Sequence, residues 1–301
     1  MINFKIILLS IVIEALPFVL LSVIVSAILH NFVTEDMISR IMPKNKFLSI
    51  VPASLLGIVL PVCDCGMVPI VRRLVKKGVP LPTAISFMLG APILNPLVAA
   101  ATAFAFKTNT AMVLFRLGTA FLVACFAGWL TSLFFKGNEL KPLTANHQHL
   151  CGCCGPHTDQ YLIDELTFTG KLLRTIHDAS NEFFEMGKYL LIGAILGTLA
   201  QIVLSREILL SIGQHPGFSV GVMMLFAFVI SVCSAADAFI AASFYTSFSA
   251  GSLVAFMVFG PMLDLKNTLM LLHTFRFRFV VWLAFVAATL CAGAAYVINL
   301  L

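Results

Sequence analysis

The chain has 301 residues, of which 60% are hydrophobic and 11% charged, with a formal net charge of +5. Soluble domains carry about a quarter charged residues, so this composition excludes an ordinary soluble enzyme or a nucleic-acid binder and marks a polytopic membrane protein. Most of the eight cysteines lie inside apolar segments or in one tight cluster, which points to thiol chemistry and not to a disulfide framework.

The first apolar stretch, Ile6–Leu29, is too long for the core of a signal peptide and carries Glu14 at its middle, so it reads as a first spanning helix. Phe47–Val75 follows, interrupted at Cys63, Asp64, Cys65 and Gly66. Pro80–Phe106 is interrupted by Gly90-Ala-Pro-Ile-Leu-Asn-Pro96, and Thr110–Phe135 is continuous. A long polar connection comes next, ending in Gly170–Phe184, whose weak helical period and mixed charge suit an amphipathic helix. Glu185–Leu204, Gly217–Phe244, Gly251–Leu272 and Arg278–Leu300 complete the set. The expected fold is an all-α polytopic membrane protein of about eight transmembrane helices, some broken near the bilayer midplane, in a cell (inner) membrane.

An internal repeat is visible. Glu14-Ala-Leu-Pro-Phe-Val-Leu-Leu echoes Glu185-Met-Gly-Lys-Tyr-Leu-Leu-Ile, an offset of 171; Val62-Cys63 echoes Val232-Cys233, an offset of 170; Pro92-Ile-Leu-Asn95 echoes Pro261-Met-Leu-Asp264, an offset of 169. Matches at nearly one offset and in one order predict two homologous halves, 1–136 and 185–301, joined by the linker 137–184. Four spans in each half would set both the same way up. The basic connection Arg72–Lys77 would then be cytoplasmic, yet its counterpart Tyr245–Ala250 holds no Lys or Arg. The third connection shifts the other way, from Lys107 alone to Lys266, Arg276 and Arg278. That reversal points to an inverted repeat, which needs an odd number of spans per half; a re-entrant segment or the helix at 170–184 would supply the difference.

Chemistry concentrates at the breaks. Pro and Gly free backbone groups that hydrocarbon cannot satisfy, so paired breaks in two halves mark a midplane transport site. Intramembrane acids cost about 2.5–3.5 kcal/mol on insertion scales and therefore face a cavity and a partner. Asp64, Asp237 and Glu14 are the candidates for proton coupling, and Asp264 and its counterpart Asn95 for binding substrate. The plain alternative is capping of broken helix ends. Cys63 and Cys65 on an irregular loop can hold one soft ion, with Cys233 as a third sulfur; the plain alternative is that they are small buried thiols. Cys125 and Cys291, alone in apolar helices, read as packing.

The linker carries His147, His149, Cys151, Cys153, Cys154 and His157, six soft or borderline ligands in a spacing that fits no closed zinc-finger pattern. It reads as a flexible loop that captures or senses a soft metal ion, and no other cofactor is expected. Phosphate-loop, Ser-His-Asp and HExxH signatures are missing, so neither an enzyme nor ATP-driven transport by this chain alone is expected.

Through Pro61-Val-Cys-Asp-Cys-Gly66, Gly90-Ala-Pro-Ile-Leu-Asn-Pro96, Ser231-Val-Cys-Ser234, Gly260-Pro-Met-Leu-Asp264 and the His/Cys linker, the sequence resembles the predicted permease family that includes the ArsP organoarsenical exporters. The resemblance implies about eight spans, an inner-membrane location and efflux of small substrates, trivalent organoarsenicals in the characterised members. Asp64 stands where the resemblance implies a small hydroxyl residue. The leading expectation is a proton-coupled secondary exporter of a soft, thiol-reactive compound or metal. Its partners would be the lipid bilayer, that substrate and a further permease subunit. The alternatives are a membrane metal sensor or chaperone scaffold, the transmembrane subunit of a two-part metal permease, and an intramembrane thiol oxidoreductase using Cys63 and Cys65.

Overall fold

The structure, a computed structural model, describes residues 5–13, 49–58, 64–107, 109–135, 139–140, 187–199 and 218–300, with single positions 16, 17, 20, 24, 180, 183 and 184. The described residues are helical apart from turns and one isolated bridge, Leu140 to Phe275. Among them, Thr110–Phe134, Ala250–Thr274 and Phe277–Leu300 are long and apolar enough to cross a membrane.

Helix α1, Ile50–Leu55, tightens into a 3₁₀ turn at Leu56–Ile58. Helix α2, Asp64–Lys76, begins with an acid and ends with basic residues, the polarity that complements the helix dipole. Helix α3, Leu81–Gly90, is buried at every residue. The run Ala91–Asn95 then interrupts the chain before α4, Pro96–Ala105. Pro96 suits the first helical position because its missing N–H is unpaired there anyway. Asn95 caps the helix by accepting from the Leu97 N–H at 2.9 Å. Helix α5, Thr110–Phe134, follows.

These helices have a definite sense. Ser49 and Thr83 share a hydroxyl hydrogen bond of 2.6 Å, and Gly57 lies directly against the backbone of Ala91. So α1 and α3 run side by side in the same direction. A side chain at Gly57 would collide with the Ala91 backbone, so the close crossing needs glycine there. Since α3 starts beside the start of α1, the chain through α2 must return to the end at which it entered. Helix α5 runs opposite to α3 and α4, with Gly128 beside Pro82 and Ser86, and Arg116 bonded to Thr102.

The same plan recurs further on. After α6, Gly187–Leu199, come α7, Ser219–Ile230, the short α8, Asp237–Ser243, α9, Ala250–Met262, α10, Leu265–Thr274, and α11, Phe277–Leu300. Ser219 and Ser252 share a hydrogen bond of 2.5 Å and Gly260 faces Ala227, so α7 and α9 run in the same direction and α8 returns. Asn299 on α11 accepts from the Gly251 N–H at 2.8 Å, so α11 runs back along α9. Phe47–Val75 and Gly217–Phe244, expected as broken spans, thus fold back on themselves instead of running on.

The two sets pack in opposite senses. Helix α2 lies against α10, and α4 against α8. Phe106, past the end of α4, meets Tyr245, past the end of α8, with ring centroids 5.8 Å apart. Phe135, at the end of α5, meets Phe279 near the start of α11 at 5.0 Å, and the Arg276 N–H donates to the Glu139 carbonyl. The centre is α3 and α9, both buried along their length, while α5 and α11 turn Leu122, Phe126, Phe285 and Val297 outward. A helix that is apolar on its outward face has lipid, not water, as its natural solvent.

Candidate functional site

The start of α2 and the turn of the second folded-back segment come together at the middle of the molecule. Asp64 is the first residue of α2, and that turn runs from Ser231 to Ala236, ahead of α8. The Ser234 side chain stands beside the Asp64 carboxyl, and the charges of Asp264 and Lys266 at the start of α10 act on the same group. Ser231 adopts a left-handed conformation (φ 51°), rare for a residue with a side chain, and its hydroxyl accepts from the Leu265 N–H at 3.1 Å. That bond ties the second turn to the break before α10. Asp264 caps α10 by accepting from the Asn267 N–H at 2.6 Å, as Asn95 does for α4.

The charges are deeply buried: Arg116 is 0% exposed, Asp237 3%, Asp264 3%, Asp64 4% and Lys266 5%. Burial at that depth is tolerable only with partners. Arg116, on α5, supplies several. One terminal nitrogen donates to both carboxyl oxygens of Asp237 at 2.8 and 2.9 Å and to the Ser234 carbonyl at 2.8 Å. The other donates to the Thr102 hydroxyl at 2.8 Å. Lys266 stands 3.8 Å from Asp264, a looser pair. Gly193 on α6 lies against Lys266 so closely that a side chain there would press on the lysine's backbone and stem.

Arg116 and Lys266 thus stand among three buried carboxyl groups, Asp64, Asp237 and Asp264. The Asp64 Oδ1 is buried with no hydrogen-bond partner among the described residues. Beside Asp237 is a small, partly open space of ≈ 10 Å³ lined by Val232, Phe256, Gly260 and Pro261 among others, room for about one water.

Of the residues singled out in the sequence, Asp64, Asp237 and Asp264 converge. Cys233 is half-buried on the second turn, one residue before Ser234, and its carbonyl accepts from the Ala236 and Asp237 N–H groups. Asn95 is buried at its helix cap, and the contact described for it is within its own helix. Cys65 lies on α2, described by its backbone alone. Cys63, Glu14 and the linker residues His147, His149, Cys151, Cys153, Cys154 and His157 lie outside the described residues. Among the described residues no group of three or more His, Cys, Asp or Glu is placed to hold a metal ion.

Sequence reasoning missed Arg116 and the role of Lys266. Arg116 is a lone charge inside an apolar helix, the signal by which the acids were found. Lys266 was read as a topology-setting charge in a connection, whereas it sits buried two residues after a helix cap.

A model of a predicted permease family, ArsP_1, matches residues 1–300. The UPF0718 protein YcgR of Bacillus subtilis is 45% identical over 290 residues, covering 96% of this chain and 94% of that protein. A Streptococcus mutans protein named as a two-component membrane permease complex subunit is 38% identical over 272 residues, covering 90% and 87%. No solved structure matches the chain.

Proposed function

The chain belongs to this predicted permease family, and on that premise we propose that it is a proton-coupled secondary exporter of a small, soft, thiol-reactive substrate, a trivalent organoarsenical or a soft metal ion. The observation that carries the reading is the meeting of two folded-back segments at a buried charge cluster. Irregular backbone at membrane depth is tolerated where it is enclosed by protein or lines a cavity, and in transporters it builds the substrate site.

In this reading α1–α2 and α7–α8 are re-entrant hairpins. Each half crosses the bilayer three times, by its first segment, by the broken helix (α3–α4 or α9–α10) and by the long helix that follows. Three is odd, so the halves are inverted, and six crossings with two hairpins replace eight spans. The opposite senses of packing support this, as does charge. Residues 275–279 lie against 135–140, and α2 against α10, so Arg72, Arg73, Lys76 and Lys77 share a side with Arg276 and Arg278. Lys107 and the uncharged turn at 244–249 share the other. The basic side is then cytoplasmic. The linker leaves α5 and enters α6 on that side, since Tyr189 bonds His273 near the end of α10. Its histidines and cysteines would meet a soft metal before export.

Cys63, Cys65 and Cys233 would ligate the substrate from the two hairpins, with Asn95 and Asp264 opposite. Asp64, Asp237 and Glu14 are the candidates for carrying the proton. Alternating access follows from one half rocking against its inverted mate.

The experiment is uptake of methylarsenite, arsenite, Zn²⁺ and Cu⁺ into everted vesicles by the wild type and Cys63→Ser. Accumulation of one solute, abolished in the variant, is expected; if no solute distinguishes the two proteins, the cysteine-ligand mechanism is wrong. A second reading, the membrane subunit of a two-part permease, is favoured by the name of the Streptococcus mutans relative. Co-purification of a second chain from the native host under mild detergent checks it.

A further inference from the structure

We propose that the Arg116–Asp237 contact is the outer gate of this transporter, a latch across the two halves that must part before the central site can reach the outer face. The inference rests on the permease reading and on the inverted arrangement above. Arg116 belongs to the first half, on α5, while both groups it grips in the second half, Asp237 and the Ser234 carbonyl, belong to the second hairpin. Its other terminal nitrogen is anchored to Thr102 on α4. The latch therefore pins α4 and α5 of one half to the returning arm of the other.

Its depth is set by its neighbours. One helical turn beyond Thr102, Phe106 packs edge-on against Tyr245 at 5.8 Å and closes the rim on the Lys107 side, the face assigned as outer. Ser234, whose carbonyl the latch grips, leads inward to Asp64 and the contact between the hairpins. The order from the outer face is aromatic rim, latch, site. On the other face the halves meet through Phe135 with Phe279, the bridge from Leu140 to Phe275 and the packing of α2, with its buried Arg72, on α10.

The pair is also absent from the repeat. At the offset of 169 or 170, Arg116 corresponds to Phe285 or Val286, and Asp237 to Val68 or Met67. The fold thus makes the same helix arrangement on the opposite face with apolar residues, so the charges serve something the fold alone does not require. A fully buried ion pair is well suited to a gate: closed, one Arg116 nitrogen holds both Asp237 oxygens while its Nε has no partner among the described residues; parted, both groups need the water or substrate that the open path admits.

The test is side-resolved labelling of Cys233 in the full-length chain with a membrane-impermeant maleimide, the adduct located by mass spectrometry, in right-side-out and everted vesicles. With the latch intact, labelling from outside is slow. Arg116→Ala is expected to raise it about tenfold or more, by releasing a minor open state, without raising labelling from inside. Arg116→Lys, which keeps the charge but loses the fork, should lie between, and it serves also where the alanine variant fails to reach the membrane. A disulfide lock, Phe106→Cys with Tyr245→Cys, leaves the latch in place and should suppress outer labelling until reductant is added. Unchanged outer labelling in the Arg116 variants, an equal rise from both faces, or an ineffective lock each overturns the gate. The labelling needs no substrate, so failure of the permease reading shows separately, as absence of solute uptake in the wild type.

Discussion

Asp64, at the start of α2, and Ser234, on the turn before α8, stand beside each other although 170 residues apart in the chain. That separation equals the 170-residue offset between Val62-Cys63 and Val232-Cys233, so the proposed inverted repeat would put corresponding positions side by side. Ser234→Ala should take a polar neighbour from the buried Asp64 carboxyl and cost about 0.5–1.5 kcal/mol. Thermal unfolding in detergent reads the loss. A loss no greater than that of Ser243→Ala, whose hydroxyl bonds within its own exposed helical turn, would count against the contact.

The Arg116–Asp237 pair makes a sharper demand on stability. Removing one partner strands a buried charge, so Arg116→Ala and Asp237→Ala should each destabilise by about 3–5 kcal/mol. Replacing both at once by apolar residues of similar size, Arg116→Met with Asp237→Leu, should recover most of the loss, because nothing charged is then left unpaired. The double variant should nonetheless lose control of the outer face. Stability and Cys233 labelling measured on the same preparations separate the two effects.

The inverted arrangement makes a prediction that needs no function. Gly78→Cys, in the turn between α2 and α3, should label from the inner face, and Ser247→Cys, in the corresponding turn between α8 and α9, from the outer face. Eight through-spans in two parallel halves put both positions on one side, so the comparison decides between the arrangements.

Much of this was legible in the sequence, and the residues show why the rest was not. Pro96 after Asn95 and the match of Asn95 to Asp264 announced helix breaks with caps, because proline and capping chemistry are local. The direction of the chain after a break is not local. Whether Phe47–Val75 ran on or turned back was decided by the Gly57–Ala91 and Ser49–Thr83 contacts, which only the packed molecule contains. The unequal charges of the connections point the same way as the proposed inversion, which puts Arg72–Lys77 and Arg276 on one face. Arg116 was hidden for another reason: its partner lies 121 residues away, at a turn whose position followed only from the fold.

Gly193 offers a last test of the site's tolerance. A Cβ built there would come within 2.6 Å of the Lys266 Cγ and 2.9 Å of its Cα. The side-chain stem can give way, but the backbone atom cannot, so α6 must move off α10. Gly193→Ala should cost about 1–3 kcal/mol, in the range for forcing an extra carbon into a packed contact. The shift also moves Lys266 relative to Asp264 and Asp64, the charges at the hairpin contact. Transport, measured as everted-vesicle uptake of whichever solute the wild type accumulates, should therefore fall further than stability does. Gly187→Ala is the control, since a Cβ there meets nothing within 4 Å and should change neither. Equal behaviour of the two variants would mean that the approach of α6 to Lys266 does not position the site.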